Sequence, residues 1–276
     1  MSSLREIIAS ELLIRAFAST LRPGVVGGKL GVFSNLAPLD ENAATGKRAN
    51  RRTCEACCTM ENAPTNTVVS KNVWIIDHPV VQTKLTELRD FASDHRKFRA
   101  LLDEIAMLMV YEVTRDWPTK PKPTQTPLEQ TIGQVLARQV TLVPILRAGL
   151  GMADGVLRIL PDARLGHLGV YRDEKTLEPV SYYQKLPPDI AQTEVLLIVP
   201  MLATGGSGAA AVTFLKKAGV TSMKFVCLVA APEGIAALHR QHPEVPIYCA
   251  AVDRELNHKG YILPGLGDAG DRIFGT

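Results

Sequence analysis

From Asn72 onward, apolar residues recur with the periods of regular structure, whereas the first 70 or so residues show such a period only once. Between Ser3 and Phe17, the residues Leu4, Ile7, Ile8, Leu12 and Phe17 fall near one helical face. Beyond it the chain runs through Gly, Pro, Asn, Thr and Ala with isolated charges. In the second regime Phe98, Leu101, Leu102, Ile105 and Met109 return at helical spacing, and the helix they predict must stop before Pro118. Apolar runs of strand length then alternate with helical ones. Strands are predicted over 140–146, 167–171, 195–199, 223–230 and 245–252, and helices over 150–160, 207–218 and 232–239. A charged, proline-bounded excursion leads from the strand at 167–171 to Pro187. Near-continuous apolar strands with helices between them mark a mostly parallel sheet covered on both faces. The expected fold class is α/β, with residues 1–70 an N-terminal extension and 71–276 a single domain.

Composition narrows the function classes. Of 276 residues, 46% are apolar and 21% charged, which excludes a wholly disordered chain. A net charge of +3 is too small and too dispersed for a nucleic-acid partner, and the cluster Lys47 to Arg52 reads as a solvated tail. No run approaches the roughly 18 apolar residues of a membrane span, so no membrane partner is expected. Five cysteines, an odd number, do not suit a secreted disulfide framework. Cys54-x-x-Cys57-Cys58 is half of a zinc signature without its second pair, and Cys227 and Cys249 lie in strand-like runs as core residues. His78, His95, His167, His239, His242 and His258 form no metal set.

The first segment has two readings. Arg5 and Arg15 with serine-rich flanks suit an organelle-targeting peptide, for plastid or mitochondrion. The capping-box pattern Ser3-Leu-Arg-Glu6 and the acids Glu6 and Glu11 suit a plain helical extension of a cytoplasmic protein. Cytoplasmic placement is the expectation.

Candidate chemistry sits at three predicted strand ends, where open α/β sheets bind ligands. Val199-Pro200-Met201-Leu202-Ala203-Thr204-Gly205-Gly206-Ser207 runs from a strand through paired glycines into a helix. Such a loop turns backbone N–H groups toward an anion, and Thr204 and Ser207 add hydroxyls. The plainer alternative is an ordinary turn with Ser207 as helix cap. The loop is neither a Walker A motif nor a nucleophile elbow, since it lacks the Lys-Ser/Thr pair and has Ala209 at the last glycine position. Arg147, after Pro144-Ile-Leu146, could meet phosphate oxygens with its two-pronged guanidinium or lie on an ordinary surface turn. Gly265-x-Gly267-x-x-Gly270 formally fits a dinucleotide fingerprint, but no βαβ unit follows it before the chain ends at Thr276. Its glycines can bring amides and the Asp268 carboxylate to a flat ligand edge, or form a solvated tail. Asp253, Asn257 and His258 follow the last strand and are placed to line the same pocket.

Together these stretches resemble the uracil phosphoribosyltransferase family over about residues 78–276. The matching blocks are Val143-Pro-Ile-Leu-Arg147-Ala-Gly-Leu-Gly151, Tyr171-Arg172-Asp-Glu-Lys-Thr-Leu-Glu-Pro179, Pro200-Met-Leu-Ala-Thr-Gly-Gly-Ser207, Leu228-Val-Ala-Ala-Pro-Glu-Gly234 and Gly260-Tyr-Ile-Leu-Pro-Gly-Leu-Gly-Asp-Ala-Gly-Asp271. The resemblance implies a type I phosphoribosyltransferase-like fold with a protruding β-arm and a C-terminal uracil-binding segment. It implies transfer of ribose 5-phosphate from phosphoribosyl diphosphate to N1 of uracil, giving UMP and diphosphate in pyrimidine salvage. The 200–207 loop, with Val199 before it, would hold the phosphoribosyl group, and Arg147 and Arg172 the diphosphate, with Arg172 on the mobile arm. Ile262, Gly267, Asp268 and Ala269 would read uracil largely through backbone groups, with Asp268 also near the sugar. Arg172 and Asp268 are the implied catalytic residues. Mg2+ bound mainly through substrate, GTP as an allosteric activator, and a homodimer or homotetramer are also implied.

One position departs from the family pattern. Members carry Asp immediately before the Pro-Met-Leu-Ala-Thr-Gly-Gly-Ser run, and this chain has Val199. Losing a charged hydrogen-bond partner costs about 1.5–3 kcal/mol, roughly 10- to 150-fold in binding or rate. The alternative reading is therefore a catalytically impaired homologue that binds UMP, uracil or GTP in a regulatory or partner-binding role.

Overall fold

The computed structural model describes residues 67–172 and 179–276. The amphipathic segment at 3–17, the Cys54–Cys58 cluster and the tip of the expected β-arm lie outside the described residues.

In chain order the elements are β1 (Thr67–Ser70), β2 (Val73–Ile75), α1 (Pro79–Arg89), α2 (His95–Val113), β3 (Thr119–Gln125), β4 (Gln130–Leu136), β5 (Val140–Leu146) and α3 (Leu150–Ile159). There follow β6 (Arg164–Leu165), β7 (His167–Arg172), β8 (Pro179–Lys185), β9 (Glu194–Ile198), β10 (Met201–Leu202), α4 (Gly206–Lys217) and β11 (Met223–Ala230). The chain ends with α5 (Pro232–Gln241), β12 (Ile247–Val252), β13 (Glu255–Leu256), β14 (Ile262–Leu263) and α6 (Ala269–Phe274).

The main sheet runs β1-β2-β12-β11-β9-β5-β7-β8. Pairing is parallel from β2 through β7 and antiparallel only at the two ends, β1–β2 and β7–β8. This is the mostly parallel α/β sheet expected, and β7–β8 is the base of the β-arm. Strand periodicity makes the sheet two-sided. Leu196 and Ile198 of β9 face the cluster formed with α1, α2 and α3, while Val195 and Leu197 face the cluster formed with α4 and α5. One buried row on the second face crosses five strands: Val143, Leu197, Phe225, Ile247 and Val73 are register partners. Cys227 and Cys249 belong to that face, and burial pushes the Cys227 thiol well up and that of Cys249 up to about 12. Both are therefore core residues rather than nucleophiles at neutral pH.

The first two helices begin where a polar side chain caps them. Asp94 caps α2 by accepting from Lys97 N at 2.7 Å, and His78 Nδ1 accepts from Val80 N at 3.2 Å ahead of Pro79 at the start of α1. Gly219, at φ 85°, ends α4. The helix expected over 150–160 stops at Ile159, and the strand expected over 245–252 starts at Ile247. The hairpin β3–β4 had no counterpart in the hydrophobic pattern. Every residue of β3 is exposed, so no alternation marks it, and its prolines at 121 and 123 read as breakers.

Candidate active site

At the carboxyl ends of β5 and β9 the parallel strands leave a cleft of about 240 Å³. Arg147, Ala148, Val199, Met201, Asp268, Ala269 and Gly270 line it. Three segments that lie far apart in sequence thus converge at one point.

The first wall is the turn after β5. Gly149 lets the chain fold back at this point. A Cβ there would stand 2.6 Å from Ile145 O and 2.7 Å from Ile198 O, so no larger residue fits. The turn projects Arg147, whose side chain is 62% exposed. Its guanidinium sits 5.7 Å over the Phe274 ring and 3.9 Å from the Asp271 carboxylate, two surface contacts that orient the side chain without neutralising it. Arg147 is a cation at the cleft rim.

The second wall is the Gly-rich loop. Pro200 O accepts from Leu228 N and Val229 N, and Leu202 O accepts from Ala231 N, which fixes the loop to β11. Gly205 adopts φ 80°, a conformation that favours glycine, and a Cβ there would meet Gly234 O at 2.6 Å. Gly234 of α5 packs in return against Ala203 O, which a Cβ would approach to 2.3 Å. Gly206 differs: a Cβ there would meet nothing within 4 Å, so the protein's own atoms do not require glycine at this position. Gly205, and not Ser207, occupies the cap position of α4, so the plain serine-capped turn is not what forms; Ser207 lies inside the first helical turn. Thr204 stands exposed beside the loop. The start of α4 carries no side-chain cap bond, which leaves its first-turn N–H groups without one; of the loop itself Val199 and Met201 line the cleft, whereas Pro200 and Leu202 to Ser207 do not.

The third wall comes from the C-terminus. Gly265 and Gly267, at φ 64° and 80°, make the turn, and Asp268 caps α6 by accepting from Asp271 N at 3.0 Å. Its carboxylate is the only one among the residues lining the cleft. Ile262 is buried in the core, which leaves only backbone groups there for a ligand. Arg172 ends β7 opposite Pro179, at the base of the arm. Val199 lines the cleft, resting on the core beneath it and presenting an apolar wall.

Asp253, Asn257 and His258 do not line the cleft. Asp253 is buried and pairs with Arg89 at 2.7 Å; Asn257 Oδ1 accepts from Lys259 N and Tyr261 N and so shapes its own turn; His258 is exposed. Arg89 carried no local signal, because its partner Asp253 is 164 positions away. Among the described residues no group of three His, Cys, Asp or Glu side chains could hold a metal ion. The larger hollow, about 690 Å³ between the β3–β4 hairpin and the end of α3, contains none of the three converging motifs. No helix among the described residues is long and apolar enough to cross a membrane.

Known proteins match this arrangement along almost the whole described part. The uracil phosphoribosyltransferase family model matches residues 75–276. A uracil phosphoribosyltransferase of Dictyoglomus turgidum is 58% identical over 205 residues, 74% of this chain and 99% of that protein. One of Acidovorax ebreus is 57% identical over 206 residues, again 74% and 99%. A solved structure from Aquifex aeolicus superposes with TM-score 0.70 at 37% identity, covering 73% of this chain and 97% of the other. An adenine phosphoribosyl transferase from Trypanosoma brucei, solved with AMP, pyrophosphate and ribose-5-phosphate, has TM-score 0.50 at 12% identity over 75% of this chain and 92% of its own, a likeness of fold alone. With the glycine loop, the strand-end arginine and the C-terminal turn meeting at one cleft, and with these matches over residues 75–276, the chain belongs to the uracil phosphoribosyltransferase family.

Proposed function

We propose that the protein transfers ribose 5-phosphate from phosphoribosyl diphosphate to N1 of uracil, giving UMP and diphosphate. The convergence of Arg147, Val199 and Met201 at the start of the Gly-rich loop, and the Asp268–Gly270 turn on one cleft, in a chain of this family, carries the reading. The bond from ribose C1 to the diphosphate oxygen breaks, the bond from C1 to uracil N1 forms, and N1 gives up its proton. Positive charge grows on the ribose and negative charge on the leaving diphosphate, so the protein needs a cation at one end and anionic or dipolar groups at the other.

The loop amides and hydroxyls of residues 200–207 hold the 5-phosphate, and the open space at Gly206 supports a close approach of the ligand there. Arg147 faces the leaving diphosphate with Arg172 as the second cation, and water that would otherwise compete as nucleophile has to be kept out. Backbone groups of Ile262 and of Gly267 to Ala269 read uracil, and the Asp268 carboxylate accepts or biases loss of the N1 proton. Magnesium carried with the diphosphate substrate would offset the charge of the leaving group, with no cage of protein ligands required. GTP is carried as a proposed activator. A homodimer or homotetramer belongs to the same reading: Leu128 and Ile132 lie exposed on the isolated β3–β4 hairpin, a two-stranded unit that is marginal without a partner surface.

The test is UMP formation from uracil and phosphoribosyl diphosphate with magnesium, on the full chain and on Val199→Asp side by side. UMP from the unsubstituted chain is expected, with the aspartate variant faster by about tenfold or more, because a carboxylate in the apolar wall can grip the sugar. Silence from both would overturn the reading.

A further inference from the structure

If uracil is read by backbone groups, its affinity depends on where the peptide units of residues 262–269 sit. Gly265 is the pivot of that stretch, and its turn is tight enough that a Cβ would stand 2.1 Å from Ile262 O. The groups that hold it come from distant parts of the chain. Asp253 Oδ2 accepts from Gly265 N at 2.8 Å and from Arg89 Nη1 at 2.7 Å, while Oδ1 accepts from Arg89 Nη2 at 2.7 Å. Arg89 Nη1 also donates to Gly265 O at 2.7 Å. One ion pair therefore grips the N–H and the carbonyl of the same residue.

Both partners are anchored to the rigid frame. Arg89 is the last residue of α1, and Asp253 follows β12 with its own N–H donating to Ala230 O at 2.8 Å. The Asp253 side chain is 6% exposed and that of Arg89 21%. Rotating the chain at Gly265 would take a donor from the buried Asp253 carboxylate and an acceptor from Arg89, two charge-assisted hydrogen bonds that cost more to lose than exposed ones. Neither residue touches the cleft, so any effect on ligand must pass through the Gly265 backbone.

We infer that the Arg89–Asp253 pair is the positioning device for base recognition, setting affinity for uracil and not for the sugar phosphate. The inference rests on the uracil phosphoribosyltransferase reading above. It follows from the division of the cleft: the sugar-phosphate loop is fixed by Pro200, Leu202 and Gly234, none of which contacts this pair.

The experiment compares the full chain with Asp253→Asn and Arg89→Lys. Asparagine keeps the shape and one acceptor; lysine keeps the charge but cannot serve both carboxylate oxygens and Gly265 O at once. Two assays are run: UMP synthesis with each substrate varied in turn, and calorimetric binding of UMP beside ribose 5-phosphate. The expected result is a KM for uracil raised about tenfold or more, with the KM for phosphoribosyl diphosphate within about twofold, since misplacing a binding group by about 1 Å costs on that scale. UMP should weaken about tenfold while ribose 5-phosphate, which lacks the base, binds as before. Retained ribose 5-phosphate binding also shows that the variants are folded. A rise in both KM values alike, an equal loss of both ligands, failure of both variants to fold, or an unchanged uracil KM would overturn the inference. If the unsubstituted chain makes no UMP and binds neither ligand, the functional reading fails and takes this one with it, an outcome distinct from the others.

Discussion

The loop wall of the cleft, residues 199–207, and the turn wall, residues 262–271, meet at the same ligand space but draw on different stretches of chain. The loop is held by its immediate neighbours in the sheet: Pro200 O and Leu202 O bond to the parallel strand β11, and Gly205 and Gly234 interlock backbone to backbone. The turn is held by side chains reaching from α1, from α6 and from the loop after β12. Arg89 and Asp253 fix Gly265, and Arg272 donates to Leu88 O, Leu266 O, Asp90 O and Ser93 O while lying 4.4 Å from the Phe98 ring. One wall is made of main chain and so tolerates side-chain deletion. The other depends on three charged side chains, and single substitutions should expose that difference.

The largest effect is expected at Arg272. Arg272→Met keeps much of the aliphatic stem over Phe98 but removes the guanidinium from four carbonyls, of which Asp90 O retains Ser93 N as a donor. Because the site is only partly buried and water reaches some of these groups, the loss is put at about 2–3 kcal/mol rather than the sum of four bonds. For a domain of this size that lowers Tm by roughly 4–12 °C. Truncating Thr204, an exposed side chain of the loop wall, should leave Tm within about 1 °C. Thermal unfolding of both variants checks the contrast; a change under about 2 °C for Arg272→Met would mean that the turn does not depend on it.

This contrast also explains what could be read in advance. The strands 140–146 and 223–230 coincide with β5 and β11 because both are buried on two faces, β5 between Gln139 and Arg147 and β11 between Ser222 and the helix-starting Pro232. Arg147 and the Gly-rich loop stand out because motif and neighbours are contiguous. The supports of the turn do not, since Arg272 reaches carbonyls up to 184 positions away and a lone arginine near a chain end looks like solvated surface. Asp253 was placed in the cleft on proximity in sequence, yet burial and the pull of Arg89 turn it behind the wall. The β3–β4 hairpin escaped for the opposite reason: it buries too little to leave a pattern.

Gly206 sharpens the comparison from the loop side. It is the first residue of α4, its φ is not positive, and its missing Cβ faces open space. Gly206→Ala should therefore stabilise the folded chain slightly, by up to about 1 kcal/mol, through helix propensity. The same methyl would enter the space assigned to the 5-phosphate and weaken ribose 5-phosphate about tenfold, since phosphate needs close approach to backbone amides. Opposite signs in Tm and affinity are the expected signature. A variant that binds ribose 5-phosphate as tightly as the unsubstituted chain would remove this loop from the phosphate site.

The smallest effect concerns acid, and it should act on the loop side alone. His242 is buried behind α4, with Nε2 at 3.1 Å from Ala209 O and 3.0 Å from Thr213 Oγ1, and Nδ1 2.9 Å from Lys216 Nζ. Lys216 donates to Nδ1 and also pairs with Glu244, so the neutral ring with its proton on Nε2 satisfies every partner. Protonation would set N–H against ammonium. Burial first, and the Lys216 charge second, hold His242 below its ordinary 6.5. The sign follows by linkage: below pH 6.5 the unfolded chain takes up a proton that the folded chain refuses, so stability falls as pH drops and levels off only below the folded value. Glu244, held below its usual range by its hydrogen bond to Lys216, adds a loss in the same direction at lower pH, once it too protonates. In His242→Gln the decline of Tm between pH 7 and pH 5.5 should be shallower than in the unsubstituted chain, even if its Tm at pH 7 is lower. Because Ala209 lies in the first turns of the phosphate-loop helix and no part of the Arg89–Asp253–Arg272 frame touches His242, acid should weaken ribose 5-phosphate before it alters discrimination between bases. Parallel Tm slopes in the two proteins would remove His242 as the source of acid sensitivity.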